Sequence, residues 1–148
     1  MARLRAFVVL GLTSCLDPTQ VTLEISTNLA CGPEEPAAEA HFETAISAGP
    51  SLDLPKRALA QTQSCVSRAA DSDLGTIALS PANGATRAYT MVVATIGETE
   101  AETCLAAALA PSESVAPGCI VARRAVSFAR HKILTLPVFL DRACAGVL

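Results

Sequence analysis

Apolar and polar residues alternate with a period of two through much of this chain. Val21, Leu23 and Ile25 alternate with Thr22, Glu24 and Ser26, the pattern of a strand buried on one face. Phe42, Thr44 and Ile46 alternate in the same way with Glu43, Ala45 and Ser47, and Leu134, Leu136, Val138 and Leu140 form a third regular series. Pro137 falls inside that series. A proline has no N–H to give to a ladder, so it belongs at a sheet edge or a bulge. Residues 87–96 differ: they are rich in β-branched residues and apolar on both faces near Val92 and Val93. That pattern predicts a central strand of a sandwich.

Other segments are set by turn chemistry. Cys31-Gly32-Pro33-Glu34-Glu35-Pro36 reads as a loop. Residues 50–56 and 67–75 are rich in Pro, Ser, Asp and charge, with a weak segment at 59–66 between them. Thr76-Ile77-Ala78-Leu79-Ser80 reads as a strand, and Asn83-Gly84 follows it. Both residues of that pair tolerate positive φ, so residues 76–96 are expected to form a β-hairpin. Residues 98–110 are Ala- and Glu-rich and predict a helix of one or two turns. Residues 119–129 change parity: Ile120, Ala122, Val126 and Phe128 share a face on which Arg124 also falls. A bulge at Arg123-Arg124 would release both guanidinium groups to solvent. Six or seven short strands of this kind predict an all-β, antiparallel β-sandwich, immunoglobulin-like or related, with a small β-barrel as the alternative.

The amino-terminal residues read as an export signal. Arg3 and Arg5 precede an apolar run, Ala6 to Leu12, and Thr13-Ser14 then leads to Cys15. This is a basic n-region, an apolar h-region and a small-residue cleavage site. The run is far below the roughly 20 apolar residues that span a bilayer. Leu12-Thr13-Ser14-Cys15 resembles the bacterial lipobox, which implies cleavage before Cys15 and acylation of its thiol. The resulting division is a signal peptide at 1–14, a lipidated tether at 15–20 and a single domain at 21–148. The expected location is the cell envelope, at the outer membrane or in the periplasm.

Charge and composition narrow the functional classes. The net charge is −3; removing Arg3 and Arg5 with the signal leaves −5. A mildly acidic domain lacks the positive field that nucleic-acid binding needs. There is no Trp, and Tyr89 is the single Tyr. Six cysteines in 148 residues suggest an oxidising compartment. With Cys15 lipidated, Cys104 pairs with Cys119 as the two residues flanking one interstrand connection. Cys31 then pairs with Cys65, and Cys144 is left over. There is no CxxC, and His41 and His131 are far apart, so neither a metal nor a cofactor is expected. Glu34, Glu35, Asp71 and Asp73 fit no EF-hand spacing.

Arg123, Arg124, Arg130, His131 and Lys132 form the densest charge feature. Of these, Arg123, Arg124, Arg130 and Lys132 are the candidates for holding an anionic ligand, an acidic polysaccharide or lipid head groups. The competing reading is a wet face that keeps an edge strand from pairing. No GxSxG, HExxH or phosphate-binding loop is present, and no catalytic residue is assigned.

The segments Cys119-Ile-Val-Ala-Arg-Arg124, Phe128, His131 and Leu134-Thr-Leu-Pro-Val138, with Thr19 to Thr27 and Cys31, resemble a group of uncharacterised surface lipoproteins of myxobacterial type. The resemblance implies a lipid anchor, an extracytoplasmic β-rich domain and no assigned enzymatic role. Members of that group commonly continue past the last shared cysteine into a further Cys-containing segment, whereas this sequence reaches Leu148; the partner of Cys144 is thereby left open. The expectation is a non-enzymatic binding or structural module, held to a membrane by its lipid and facing a surface ligand or protein partner. The alternative is a secreted hydrolase with a site assembled from distant residues.

Overall fold

The computed structural model describes residues 18–31, 42–97, 99–110 and 115–147. Residues 1–14, expected to be a signal peptide, and Cys15, Glu34, Glu35 and His41 lie outside them. The elements are β1 (Gln20–Thr27), β2 (Phe42–Gly49), β3 (Ala60–Thr62), β4 (Val66–Ser67), β5 (Ser72–Leu79), β6 (Arg87–Ile96), α1 (Ala101–Leu109), β7 (Cys119–Ser127) and β8 (Ile133–Leu140), followed by a 3₁₀ turn at Arg142–Cys144. The strands form two four-stranded sheets, ordered β4-β5-β1-β8 and β3-β2-β6-β7. They face each other across a core built from Leu23, Leu74, Val92, Ile120 and Val138. A second core, with Met91, Val93, Leu105 and Ala108, lies on the far side of the second sheet under α1. The architecture is an all-β sandwich with a helix covering one outer face.

The alternating strands go where their pattern sends them. Val21, Leu23 and Ile25 are at most 6% exposed. They stand in rows with Leu134, Leu136 and Val138 of β8 and with Leu79, Ile77 and Gly75 of β5. The continuous apolar run of β6 sits between β2 and β7 and is buried on both faces, by the opposite sheet and by α1.

β8 runs parallel to β1, the one parallel pair among the described strands. The Gln20 N–H donates to the Lys132 carbonyl at 3.1 Å. In a parallel ladder each strand turns every second residue's N–H and C=O toward a given neighbour. Gln20 is paired with Ile133. This assigns the bonds toward β1 to Leu134, Leu136, Val138 and Leu140. The groups of Ile133, Thr135, Pro137 and Phe139 then face the open edge. Pro137 is therefore an edge proline, and its missing N–H removes nothing from the β1 ladder.

Several sequence expectations need correction. Two open sheets exclude the small barrel, and the described residues hold eight strands because the weak segment contains β3 and the start of β4. Asn83 and Gly84 do have positive φ, 51° and 74°. Ala85 N–H closes the turn on the Ala82 carbonyl at 2.9 Å. Yet β5 and β6 lie in different sheets, so the turn is a corner between layers and not a hairpin. The turn fixes a reversal of direction; the pairing is decided by β1, β2 and β7, whose apolar faces match. No bulge occurs at Arg123-Arg124, where β6 and β7 stay in register from Thr95↔Cys119 to Arg87↔Ser127. β7 is an edge strand, and Arg124 reaches solvent from the inner face without one.

The cysteines pair as expected, with Cα–Cα separations of 5.5 Å for Cys31–Cys65 and 5.6 Å for Cys104–Cys119. Cys104 stands within α1 and not at a strand end, so the second bridge ties the helix to the first residue of β7. Cys144 is a free, exposed thiol. Its 3₁₀ turn touches both sheets. Asp141 accepts from Asn28 at the end of β1 and from Ala143 N–H, both at 2.9 Å. Gly146 N–H donates to the carbonyl of Cys119 in the other sheet at 2.8 Å.

Candidate functional site

Helix α1, with sequence AETCLAAAL, is composed of good helix formers. At nine residues it is too short to be stable alone. Ala101, Cys104, Leu105 and Ala108 are buried against Ala45, Met91 and Val93. It has no side-chain cap at Glu100 and no base in its last turn. The sheet supplies both. Glu43 Oε2 of β2 accepts from the Ala101 N–H at 2.9 Å, and Arg123 Nη2 of β7 donates to the Ala108 carbonyl at 2.7 Å. A carboxylate thus meets the positive end of the helix and a guanidinium meets the negative end. Each such placement is worth about 0.3–1 kcal/mol.

At the carboxyl end of α1 a groove of about 570 Å³ opens beside this contact. Leu52 and Leu54 form one wall, Tyr89 and Met91 of β6 its floor, and Arg123 and Arg124 the rim along β7. Leu52 is 76% exposed, and the rim stands at an unpaired sheet edge. Arg124 Nη1 donates to the Arg123 carbonyl at 2.9 Å, which holds its guanidinium along the edge. Arg123 uses one donor on Ala108, and its fork carries four more. The result is an open, partly apolar surface with one guanidinium at the helix end and a second along the neighbouring sheet edge. A carboxylate or phosphate is the group such a rim can hold.

The remaining basic residues are elsewhere. Arg130 and Lys132 flank His131 in the β7–β8 connection, where Lys132 N–H bonds to the Ala129 carbonyl at 3.2 Å. They do not line the groove. His131 has φ of 54°, a left-handed conformation, and its backbone N–H donates to Thr19 Oγ1 at 2.9 Å. Its place in the fold is explained by the turn. Asp73 is paired with Arg68 and also accepts the Gly75 N–H at 2.8 Å. Among the described residues no three His, Cys, Asp or Glu side chains are grouped to hold a metal.

Comparisons with protein-family models, curated proteins and solved structures found no match to this chain.

The two arginines of the rim are visible in the sequence as a charged pair. Tyr89, Leu52 and the end of α1 are not, because they come from segments far from β7 in the chain. The capping pair Glu43 and Arg123 has no local signature for the same reason.

Proposed function

We propose that this protein is an exported lipoprotein, anchored through Cys15, whose sandwich is a binding or structural module at the cell surface. In this reading the groove beside α1 takes the anionic part of a surface ligand, such as a carboxylate of an acidic polysaccharide. The observation that carries it is the adjacent pair Arg123 and Arg124 on an open groove of about 570 Å³. Two guanidinium groups outweigh the partial negative charge of roughly half a unit at the helix end. The two cysteine pairs fit an oxidising compartment. The n-region, the apolar run and Leu12-Thr13-Ser14-Cys15 support export and lipidation. Without a helix long and apolar enough to span a bilayer among the described residues, the acyl chains supply the membrane affinity, about 0.8 kcal/mol per buried CH₂.

Two measurements test the two halves separately. Mass spectrometry of the membrane fraction should find Cys15 acylated and residues 1–14 gone, and Cys15→Ser should prevent both. Wild-type mass and membrane partition in the Ser variant would sink the anchor. Binding to polygalacturonate should weaken with salt and should fall roughly tenfold or more in Arg124→Ala, the worth of a charge-assisted hydrogen bond. Neutral dextran should not bind. Preference for phosphatidylglycerol vesicles over polygalacturonate would reassign the ligand to lipid head groups, and an unaffected Arg124→Ala would remove the groove from the function.

A further inference from the structure

The sandwich holds a second concavity, on the inter-sheet side, away from the arginine rim. It lies between β2 and β3 of one sheet and β5 of the other, with a volume of about 200 Å³. Its origin is legible in the backbone. Gly75 occupies an inward position of β5, in register with Ile25, where Ile77 and Leu79 two and four residues on project into the core. Its φ of +111° lies where L side chains rarely go, beside a register shift between Ile25 and Ser26. Glycine is the residue this bulge accommodates. The core consequently lacks a side chain there, and no heavy atom lies within 4 Å of where a Cβ would be. β3 has three residues and β4 two, so neither closes the edge of the sandwich over the gap.

One hydroxyl in the gap is unusual. The buried polar residues are Thr27, Thr44, Ser47, Ser72, Thr90 and Thr95. Five of them donate to backbone carbonyls: Thr27 to Leu140, Ser47 to Pro55, Ser72 to Leu29, Thr90 to Arg124 and Thr95 to Glu43. Thr44 is 3% exposed, lines the gap, and has no hydrogen-bond partner among the described residues. Burying a hydroxyl without a partner is unfavourable, and native cores rarely keep one unless something meets it. The remaining lining is apolar at Ile25, Ile46, Leu74 and Ile77 and polar at the more exposed Gln61, Thr62, Ser64 and Thr76, with no charged residue.

We propose that this cleft is a binding site for a small, neutral, mostly apolar molecule that carries one carbonyl or hydroxyl oxygen, which accepts from Thr44 Oγ1. The size fits: apolar cavities of about 150 Å³ take up benzene. The absence of a cation or anion in the walls excludes charged ligands on desolvation grounds. The site is independent of the anion groove and of the lipid anchor.

Cyclohexanone and methylenecyclohexane, rings of equal shape with and without the acceptor, provide the test. Each is titrated into the full chain labelled at Ile and Leu methyls and followed by NMR. Cyclohexanone should shift the methyls of Ile25, Ile46, Leu74 and Ile77 saturably and bind more tightly than the hydrocarbon. Thr44→Val keeps the shape of the side chain and should weaken cyclohexanone about three- to tenfold, while methylenecyclohexane is unchanged. Shifts that do not saturate, or that spread over the surface, overturn the site. Equal effects of Thr44→Val on both rings, or none on cyclohexanone, overturn the role of the hydroxyl.

Discussion

The two sheets are built from similar strands but present opposite outer faces. The second sheet, β3-β2-β6-β7, lies under α1, and its central strand is apolar on both sides. Among the described residues the first, β4-β5-β1-β8, has no such cover. β1 alternates strictly between buried and less buried residues, and β8 turns Ile133, Pro137 and Phe139 outward. Ile133 is 52% exposed and Phe139 42%, while Leu105 of the covering helix is fully buried. A single layer of nine helical residues thus separates a sheet with two cores from a sheet with one. The first sheet meets the hazard of an apolar edge in a different way, by placing a proline where a donor would invite another strand.

The largest expected effect removes the helix layer's anchor. Leu105→Ala should cost about 2–5 kcal/mol, the range for large-to-small changes at sealed sites. Ile133→Ala on the uncovered face should stay within about 0.5 kcal/mol. Chemical denaturation of both variants measures the contrast. Comparable losses would mean that the outer face of the first sheet is also covered.

Next comes the covalent tie of that layer. The Cys104–Cys119 bridge closes a separation of 15 residues. In the chain-entropy model this stabilises by about 3 kcal/mol. Replacing both cysteines with Ser should lower stability by that order and loosen α1 first, seen as loss of helical amide protection. Unchanged helix protection would show that packing on Met91 and Val93 suffices.

These contrasts explain what could be read in the chain. β1 and β8 are exposed on one face, so their residues alternate and the sequence reveals which side is buried. β6 is covered twice and reads as a continuous run, which identified it as central without saying what covers it. The covering helix was visible only as an Ala-rich stretch, because its partners Ala45, Met91 and Val93 lie on other strands. The Asn83-Gly84 signal was right as a turn and wrong as a hairpin, since turn chemistry is local and sheet membership is not. Arg124 suggested a bulge because its parity is inward; an edge position, which depends on strand order, solves the same problem. At the candidate groove, Arg123 and Arg124 were legible and Arg130 and Lys132 were included with them by proximity in sequence, which the β7–β8 turn undoes.

The uncovered sheet can be sharpened at its edge. Pro137→Val restores an N–H pointing away from β1 in the middle of an eight-residue apolar strand. Its effect on the fold should be small, because the ladder to β1 uses the alternate residues. Its effect on association should be visible: sedimentation should show concentration-dependent dimers or larger species absent from wild type. A monomeric variant at all concentrations would indicate that the edge is protected by something other than the proline.

The smallest effect belongs to the turn that links the two sheets. The Asp141 carboxyl is held below its ordinary value of 3.8, first by the Ala143 N–H and second by the Asn28 amide. A carboxyl whose folded pKa is lowered contributes stability above the unfolded value, and the contribution is lost as pH falls through the folded value. Near neutrality, therefore, the turn at Arg142–Cys144 is insensitive to pH, and it loosens only below 3.8. An NMR titration should find the Asp141 carboxyl and the Ala143 amide sharing a midpoint below 3.8. Asn28→Ala removes the second cause and leaves the first, so the midpoint should rise part of the way back. Because Asn28 directly follows β1 and Gly146, just past the turn, bonds to Cys119 of β7, the same titration should disturb amides in both sheets. A response confined to the turn would mean that the two sheets are joined by their core alone.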